Sequence, residues 1–587
     1  MFCATLAPLS AKPKKNPAAP PAEVVELERL TVTDSRELPP PEEWSYTTIP
    51  GFEVLSNAST RASQRLMRDF AIFRDALGIV WPIQFRDPPP SAIILCGRNN
   101  AFAQFLPAPA DPADARADAT PVDIGRASLT LINREQGFIV MDLQTKSLDL
   151  DPSMLGMDVA DTGLASFEID HYAQLYREYV RYLLSQFGAT LPPWFEEGLC
   201  QIIMKMDVDK RTIIFGKIDD PDDYPTSRGT GTGAGAGAPP LLAADDDDSG
   251  DSSDPGFIGN LTIDDRDFNI VLRRRALLNF KDFFGVKAGS PVAQNPLGNN
   301  VWAKQCQAFV HMCLFGTGGK YKKPFATFLT RCAKEPVTPE LFKECFGKTY
   351  NRFLIDLRGY ISFTSYTAQK VTITSGPPLL AGLPEMRVAG EGVSARIKGD
   401  ALMIAGKPRE ALDTLRAASI RGDQTAPLLA SLGIAAHAAG EDTRARKALE
   451  TAVAGGTTRG RAYTTLARLH LADAQGELAP ERLASILQLL FEARKLRPTL
   501  PETYELIAEA WARSSTSPKD EHLAVLVEGI RRFPREAGLV YQTAELATRI
   551  ANYDGARTLI AHGLKITTDA PAVRERFASL QSTLPRE

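Results

Sequence analysis

Two helical stretches separated by a short break hold the residues best placed for chemistry. The first, HYAQLYREYVRYLLSQF (171–187), carries Arg177, Glu178 and Arg181, and the second, WFEEGLCQIIMKM (194–206), carries Glu196 and Glu197. On a helix turning about 100° per residue, positions i and i+4 share a side, so Arg177 and Arg181 stand together one turn apart with Glu178 beside them. Tyr172, Leu175, Tyr176, Tyr179, Leu183 and Phe187 form a broad apolar face, with the arginines opposite. Leu191, Pro192 and Pro193 break the chain, and the acids then fall in the first turn of the second helix, where its dipole favours them. A guanidinium stays protonated at any working pH, has no lone pair to give and repels a divalent cation. The chemistry open to Arg177 and Arg181 is therefore ion pairing or anion binding.

The spacing nonetheless has the form of a metal site. A zinc peptidase of the H-E-x-x-H type needs two imidazoles at i and i+4, a glutamate between them to take the proton of the metal-bound water, and a third ligand from a neighbouring helix. Together with PPWFEEGL (192–199), the stretch resembles the gluzincin metallopeptidases, in particular the peptidase-MA-like domains of bacterial proteins, in which H-E-[YF]-x-H is followed by P-x-W-[FL]-x-E-G-[LF]. The resemblance covers roughly residues 45–362. It implies a zincin-like α+β fold, with a small mixed sheet and a helical lobe. It places Arg177 and Arg181 at the two ligand-histidine positions, Glu178 at the general base and Glu197 at the third ligand. Glu196, Trp194 and His171 would flank the site, and Trp302 falls near a tyrosine of active relatives.

Zinc, the cofactor of active relatives, is not expected here, nor is any other. Of the six histidines, His437, His470, His522 and His562 fall in the C-terminal region, so only His171 and His311 remain as substitutes. A site of His171, His311 and Glu197 would need a rebuilt geometry. Instead, Arg177 and Arg181 are expected to pair with Glu197 and to pin the two helices where a dication would have stood. The alternative is a set of surface charges on an amphipathic helix, worth about 0.2–0.5 kcal/mol per pair.

The elements that must position these residues come first in the chain. YTTIPGFEVLSN reads as a strand, STRASQRLMRDFAIFRDALG as an amphipathic helix, SAIILCG as a buried strand, and SLTLINREQGFIVMDL as a hairpin around Asn133–Gly137. After the motif, RTIIFGKID reads as a short strand. Residues 229–256 are rich in glycine and aspartate but lack the G-x-x-x-x-G-K-[ST] order of a phosphate loop. Asp245 to Gly250 resembles the start of a calcium loop, yet Gly256 stands where its bidentate glutamate should be. Residues 220–258 therefore read as a flexible insertion. Residues 260–362 look helical throughout, with Arg273–Arg275 on a solvated face, and 363–389 read as an edge strand and a proline-rich linker.

The remainder, 390–587, repeats. Gly399, Gly406, Ala411, Leu415 and Ala418 recur 34 residues later as Gly433, Gly440, Ala445, Leu449 and Ala452, and looser units follow up to residue 567. Small residues at these places let paired helices approach closely, and the leucines fill the seam between them. The pattern resembles tetratricopeptide repeats, five units in all, and implies an all-α superhelix whose groove holds a protein or peptide or else packs on the rest of the chain.

A net charge of −4 over 587 residues points to neither nucleic acid nor an anionic membrane. The seven cysteines form no C-x-x-C pair, which favours buried thiols over a disulfide framework. No apolar run is long enough for a transmembrane helix. Residues 1–43 read as a disordered leader or a remnant export signal, which leaves a periplasmic and a cytoplasmic location both open. The reading that follows is a degenerate, non-catalytic metallopeptidase-like domain joined to repeats that bind a protein or peptide. The competing readings are a hydrolase with atypical metal ligands and Glu178 as base, and an anion site at the arginine pair.

Overall fold

A computed structural model describes residues 42–81, 89–108, 126–150, 165–187, 191–218, 267–273, 275–290, 292–295, 297–332, 336–363, 366, 368–567 and 570–585. The leader up to residue 41 and the 220–258 insertion, with its calcium-loop-like and glycine-rich segments, lie outside the described residues.

The N-terminal part is built on a six-stranded mixed sheet. YTTIPGFEVLSN forms a hairpin, not one strand: β1 (Ser45–Ile49) turns at Pro50–Gly51 into β2 (Phe52–Ser56). Helix α1 (Thr60–Val80) follows, capped by the Ser59 hydroxyl, which accepts from the Ala62 amide. Next come β3 (Ser91–Cys96), β4 (Ser128–Ile132), β5 (Gly137–Asp142) and the separate pair β6 (Ser147–Leu150) and β7 (Ala165–Glu168). Helices α2 (His171–Ser185) and α3 (Pro193–Ile203) then lead into β8 (Asp207–Asp209) and β9 (Thr212–Phe215).

The segment FNIVLRRRALLNFKDFFG, read as helical in character, holds two short helices among its described residues, α4 (Phe268–Val271) and α5 (Phe280–Gly285). Longer ones follow: α6 (Val301–Phe315), α7 (Lys322–Cys332), α8 (Pro339–Phe346) and α9 (Tyr350–Phe363). The segment read as a linker contributes to both larger sheets. Its β10 (Gln369–Thr372) pairs with β9 at the edge of a three-stranded sheet, and its β11 (Arg387–Val388) pairs with β1. The order in the main sheet is β11-β1-β2-β3-β5-β4, parallel between β2, β3 and β5 and antiparallel elsewhere.

Strand alternation divides the core. On β3, Ile93 and Leu95 face a core shared with α1, α2, α3 and α6, whereas Ala92, Ile94 and Cys96 face the other way. That second face is covered by the C-terminal helices: Ala395, Ile397, Ala401 and Leu402 share one cluster with Leu129, Leu131, Phe138 and Val140. Residues 42–587 accordingly form one compact unit.

The C-terminal helices form five pairs and one closing helix. The pairs are α10 (Glu391–Ile404) with α11 (Pro408–Ile420), α12 (Ala426–Ala438) with α13 (Asp442–Ala454), α14 (Gly460–Asp473) with α15 (Pro480–Lys495), α16 (Pro501–Ala512) with α17 (Asp520–Arg532), and α18 (Ala537–Arg549) with α19 (Tyr553–Ile566). The last helix is α20 (Pro571–Ser582). The 34-residue period has a direct packing cause. A Cβ on Gly399 would lie 2.6 Å from Leu415 Cγ, and one on Gly433 would lie 2.5 Å from Leu449 Cγ, so the same glycine–leucine contact locks both pairs. The chain is thus mostly helical, with a small mixed sheet near its N-terminus and a helical-repeat superhelix at its end. Among the described residues no helix is long and apolar enough to cross a membrane.

Candidate functional site

Helix α2 starts where Asp170 caps it, its carboxylate accepting from the amides of Tyr172 (2.9 Å) and Ala173 (3.2 Å). Helix α3 starts at Pro193, whose fixed φ suits a first helical position. Gly198 lets α3 cross α6 closely, because a Cβ there would lie 2.5 Å from the Cys306 carbonyl oxygen. The crossing brings the acidic turn of α3 against the arginine side of α2.

That side of α2 is not a solvated face. Arg177 is fully buried, and Glu178 and Glu197 are nearly so, whereas Tyr172 and Phe187 of the expected apolar face are exposed at 38% and 45%. Arg177 Nη2 donates to both oxygens of Glu197, at 2.9 and 2.8 Å, and Arg181 Nη2 donates to Glu197 Oε2 at 3.0 Å. Gln201, one turn further along α3, adds a fourth hydrogen bond, to Glu197 Oε1 (2.9 Å). Glu178 is held separately. Its Oε1 accepts from Ser128 (3.1 Å) and Arg181 (3.3 Å), and its Oε2 accepts from Thr130 (2.5 Å). The alternation on β4 is what does this, since Leu129 and Leu131 point to the repeats and Ser128 and Thr130 to α2.

A loop closes the cluster from above. The Asn295 carbonyl accepts from Arg177 Nη2 (3.3 Å), and the Gly298 carbonyl accepts from Gln201 Nε2 (2.7 Å). Gly298 has a φ of +63°, and a Cβ on it would lie 2.3 Å from Gln201 Nε2 and 2.5 Å from Glu197 Oε1, so this position has no room for a side chain. A cavity of about 310 Å³ opens beside the cluster, bounded by β4, Glu178, Arg181, Glu196, Asn295 and Trp302. Among the described residues, strand β4 is the edge of its sheet.

Burial raises the pKa of Glu197, but the charges of Arg177 and Arg181 and the hydrogen bonds from Arg177 and Gln201 outweigh it and hold the carboxyl at about 2. Glu196, beside it, goes the other way: burial raises its pKa, and its neighbours Glu197 and Glu178 add to the rise. A carboxyl lowered from 4.5 to about 2 contributes roughly 3 kcal/mol of stability above the higher value, lost as pH falls through the lower one. Acid titration should therefore weaken the protein progressively between pH 4.5 and about 2, and Glu197→Gln should flatten that part of the profile, measured as denaturation midpoint against pH.

Of the flanking candidates, Glu196 joins the cluster, its Oε1 3.6 Å from Arg181 Nε, and the others do not. Trp194 packs among Phe284, Phe309, Phe325 and Phe328. Trp302 lines the cavity, but its indole N–H donates to the Phe283 carbonyl (3.1 Å). His171 Nε2 meets the Thr145 carbonyl (3.0 Å), while His311 is held by the Tyr360 hydroxyl (2.7 Å) and the Gly216 carbonyl (2.9 Å). The His171, His311 and Glu197 arrangement is therefore absent, and among the described residues no group of three or more His, Cys, Asp or Glu side chains is placed to hold a metal ion. The donor set at Arg177, Arg181 and Glu197 does not fit zinc either, because two guanidiniums occupy the oxygens of Glu197 and offer no lone pair. Cys96, Cys200, Cys306 and Cys313 are buried, which pushes their thiol pKa values up.

Sequence reading missed Ser128, Thr130, Gln201, Asn295 and Gly298. Two signals were available for these: polar residues at alternate places in SLTLI, and Gln201 one turn from Glu197.

No family model matches the chain, and no curated protein matches it. Solved structures similar to it cover about a third of its length. YrrB, described as a TPR protein with an unusual peptide-binding site, is 16% identical with a TM-score of 0.26, over 31% of this chain and 90% of its own. TTC0263, a thermophilic TPR protein of Thermus thermophilus, is 20% identical with a TM-score of 0.25, over 32% and 99%. PilF of Pseudomonas aeruginosa is 15% identical with a TM-score of 0.26, over 33% and 90%.

Proposed function

We propose that residues 44–362 are a gluzincin-type, peptidase-MA-like domain that has lost catalysis, and that the tetratricopeptide-type repeats bind a protein or peptide partner. The observation that carries this reading is the occupation of Glu197: two arginines at the ligand-histidine positions bond both its oxygens in a buried site. Fixed side-chain cations stand where the dication would be, and they hold α2 to α3. Glu178, at the base position, is tied up by two hydroxyls and Arg181. Both guanidiniums are committed to carboxylates and not aimed at the oxyanion that amide hydrolysis develops.

The test is metal analysis of the purified protein together with cleavage of an unstructured protein substrate, with and without chelator. The expected result is substoichiometric zinc and no cleavage. Stoichiometric zinc with chelator-sensitive cleavage would overturn the reading. Arg177→His with Arg181→His places two imidazoles one turn apart facing Glu197, and this double variant is expected to gain one zinc per chain.

A further inference from the structure

The turn between β4 and β5 reaches into the repeats. Asn133 shapes it, its side-chain oxygen accepting from the amides of Glu135 and Gln136, each at 2.8 Å. The next three residues all find partners on the C-terminal helices. Arg134 pairs with Glu536 (2.5 Å) at the start of α18. Glu135, 4% exposed, accepts from Arg459 Nε (2.8 Å) and Arg461 Nε (2.7 Å) at the start of α14. Gln136 donates to Asp400 on α10 (3.1 Å) and accepts from Arg459 (3.1 Å), which also donates to Asp400 (2.7 Å) and to Ser431 on α12 (2.6 Å).

These helices are the first members of their pairs, and their position defines a groove. From α10 to α18, each first helix packs on the next first helix, whereas the second helices make no comparable contact with each other. A curved array is compressed on its inner side, so the first helices line the concave face. One three-residue turn therefore spans the concave face from the first pair to the fifth. Its charges match what it meets, a guanidinium on the acidic end with Glu536 and a carboxylate on the basic centre with Arg459 and Arg461. At the acidic end, burial and the neighbouring Glu536 and Glu502 raise the pKa of Glu505, against the opposing charges of Arg134 and Arg468.

We propose that Arg134–Gln136 is the built-in ligand of the repeat groove, and that the partner is a protein segment bearing a basic residue directly followed by an acidic one, which competes with the turn. This rests on the reading that the groove binds peptide. The turn's polar contacts to the repeats run through the side chains of Arg134, Glu135 and Gln136, while the flanking strands keep their apolar core with the first repeats, so an incoming segment with the same charge order can replace the contacts at the tip one for one. Because the turn is tethered, its effective concentration is of millimolar order, and it masks the groove against weak competitors.

The probe is a labelled peptide, LINREQGF, copied from residues 131–138, with its charge-swapped form LINERQGF, titrated against the full chain. Glu135→Ala, and Glu135→Gln as the milder variant, are expected to bind LINREQGF at least tenfold more tightly than the wild type, and LINERQGF is expected to bind each protein more weakly. On the wild type, saturating peptide is expected to speed amide exchange at residues 134–137, a measurement that needs no variant to fold. Equal affinity for wild type and variants, or unchanged exchange with peptide bound, would overturn the competition and leave the groove reading standing. No binding to wild type or to folded variants would overturn both, and equal affinity for the two peptides would overturn recognition of charge order.

Discussion

Replacing Arg177 with methionine is expected to destabilise the protein by about 3–5 kcal/mol, the range for removing one partner of a buried ion pair. The side chain is fully buried and bonds both oxygens of Glu197 and the Asn295 carbonyl. Methionine fills much of the volume but leaves a buried carboxylate short of donors, with only Arg181 and Gln201 to hold it. Chemical denaturation measures the loss. A change below about 0.5 kcal/mol, the scale of exposed helix pairs, would mean that Arg181 alone neutralises Glu197. Adding Glu197→Leu removes the stranded charge and is expected to recover most of the loss, since replacing both members of a buried pair by apolar groups is often neutral. The double-variant cycle thus separates the worth of the pair from the penalty of an orphaned charge.

What the sequence made legible follows the length scale of the interaction. Periodicity and capping are local, so α1, the β4–β5 hairpin, α2, α3 and the 34-residue repeat can be read directly from residue spacing. The pairing of Arg177 and Arg181 with Glu197 is one step longer, and it needs only two neighbouring helices in a known crossing. Burial of Arg177 was not readable, because a helix with arginines opposite an apolar face looks half-solvated until α3, α6 and the 297–300 loop cover the second face. Residues 268–285, helical in character by sequence, hold two short helices among the described residues because Phe268, Phe280 and Phe283 are drawn into the aromatic core, where tertiary packing overrides local propensity. Least legible was the joint between the sheet and the repeats. Leu129, Leu131, Phe138 and Val140 read as one face of a hairpin, but nothing local to them states that the covering layer is α10, more than 250 residues away.

That joint carries the second large effect. Arg459→Met is expected to cost about 3–5 kcal/mol, because Arg459 bonds two buried carboxylates from distant parts of the chain, Glu135 at the hairpin turn and Asp400 on α10. Glu135 keeps Arg461 and Asp400 keeps Gln136, so the loss falls short of two independent buried pairs. Arg444→Met, which removes an exposed pair with Glu441, serves as the comparison and is expected to cost about 0.5 kcal/mol or less. Since the sheet's second face and the first repeats share one core, the loss should appear as a shift of a single denaturation transition. Two separated transitions in the wild type would show instead that the repeats unfold on their own, with the network no more than a weak clasp. The variant also differs in kind from a competing peptide: a segment with an arginine followed by a glutamate keeps Arg459 and Arg461 paired while it releases the turn, whereas methionine leaves the carboxylates short of a cation. Groove occupation by such a segment is therefore compatible with a stably folded chain, and loss of Arg459 is not.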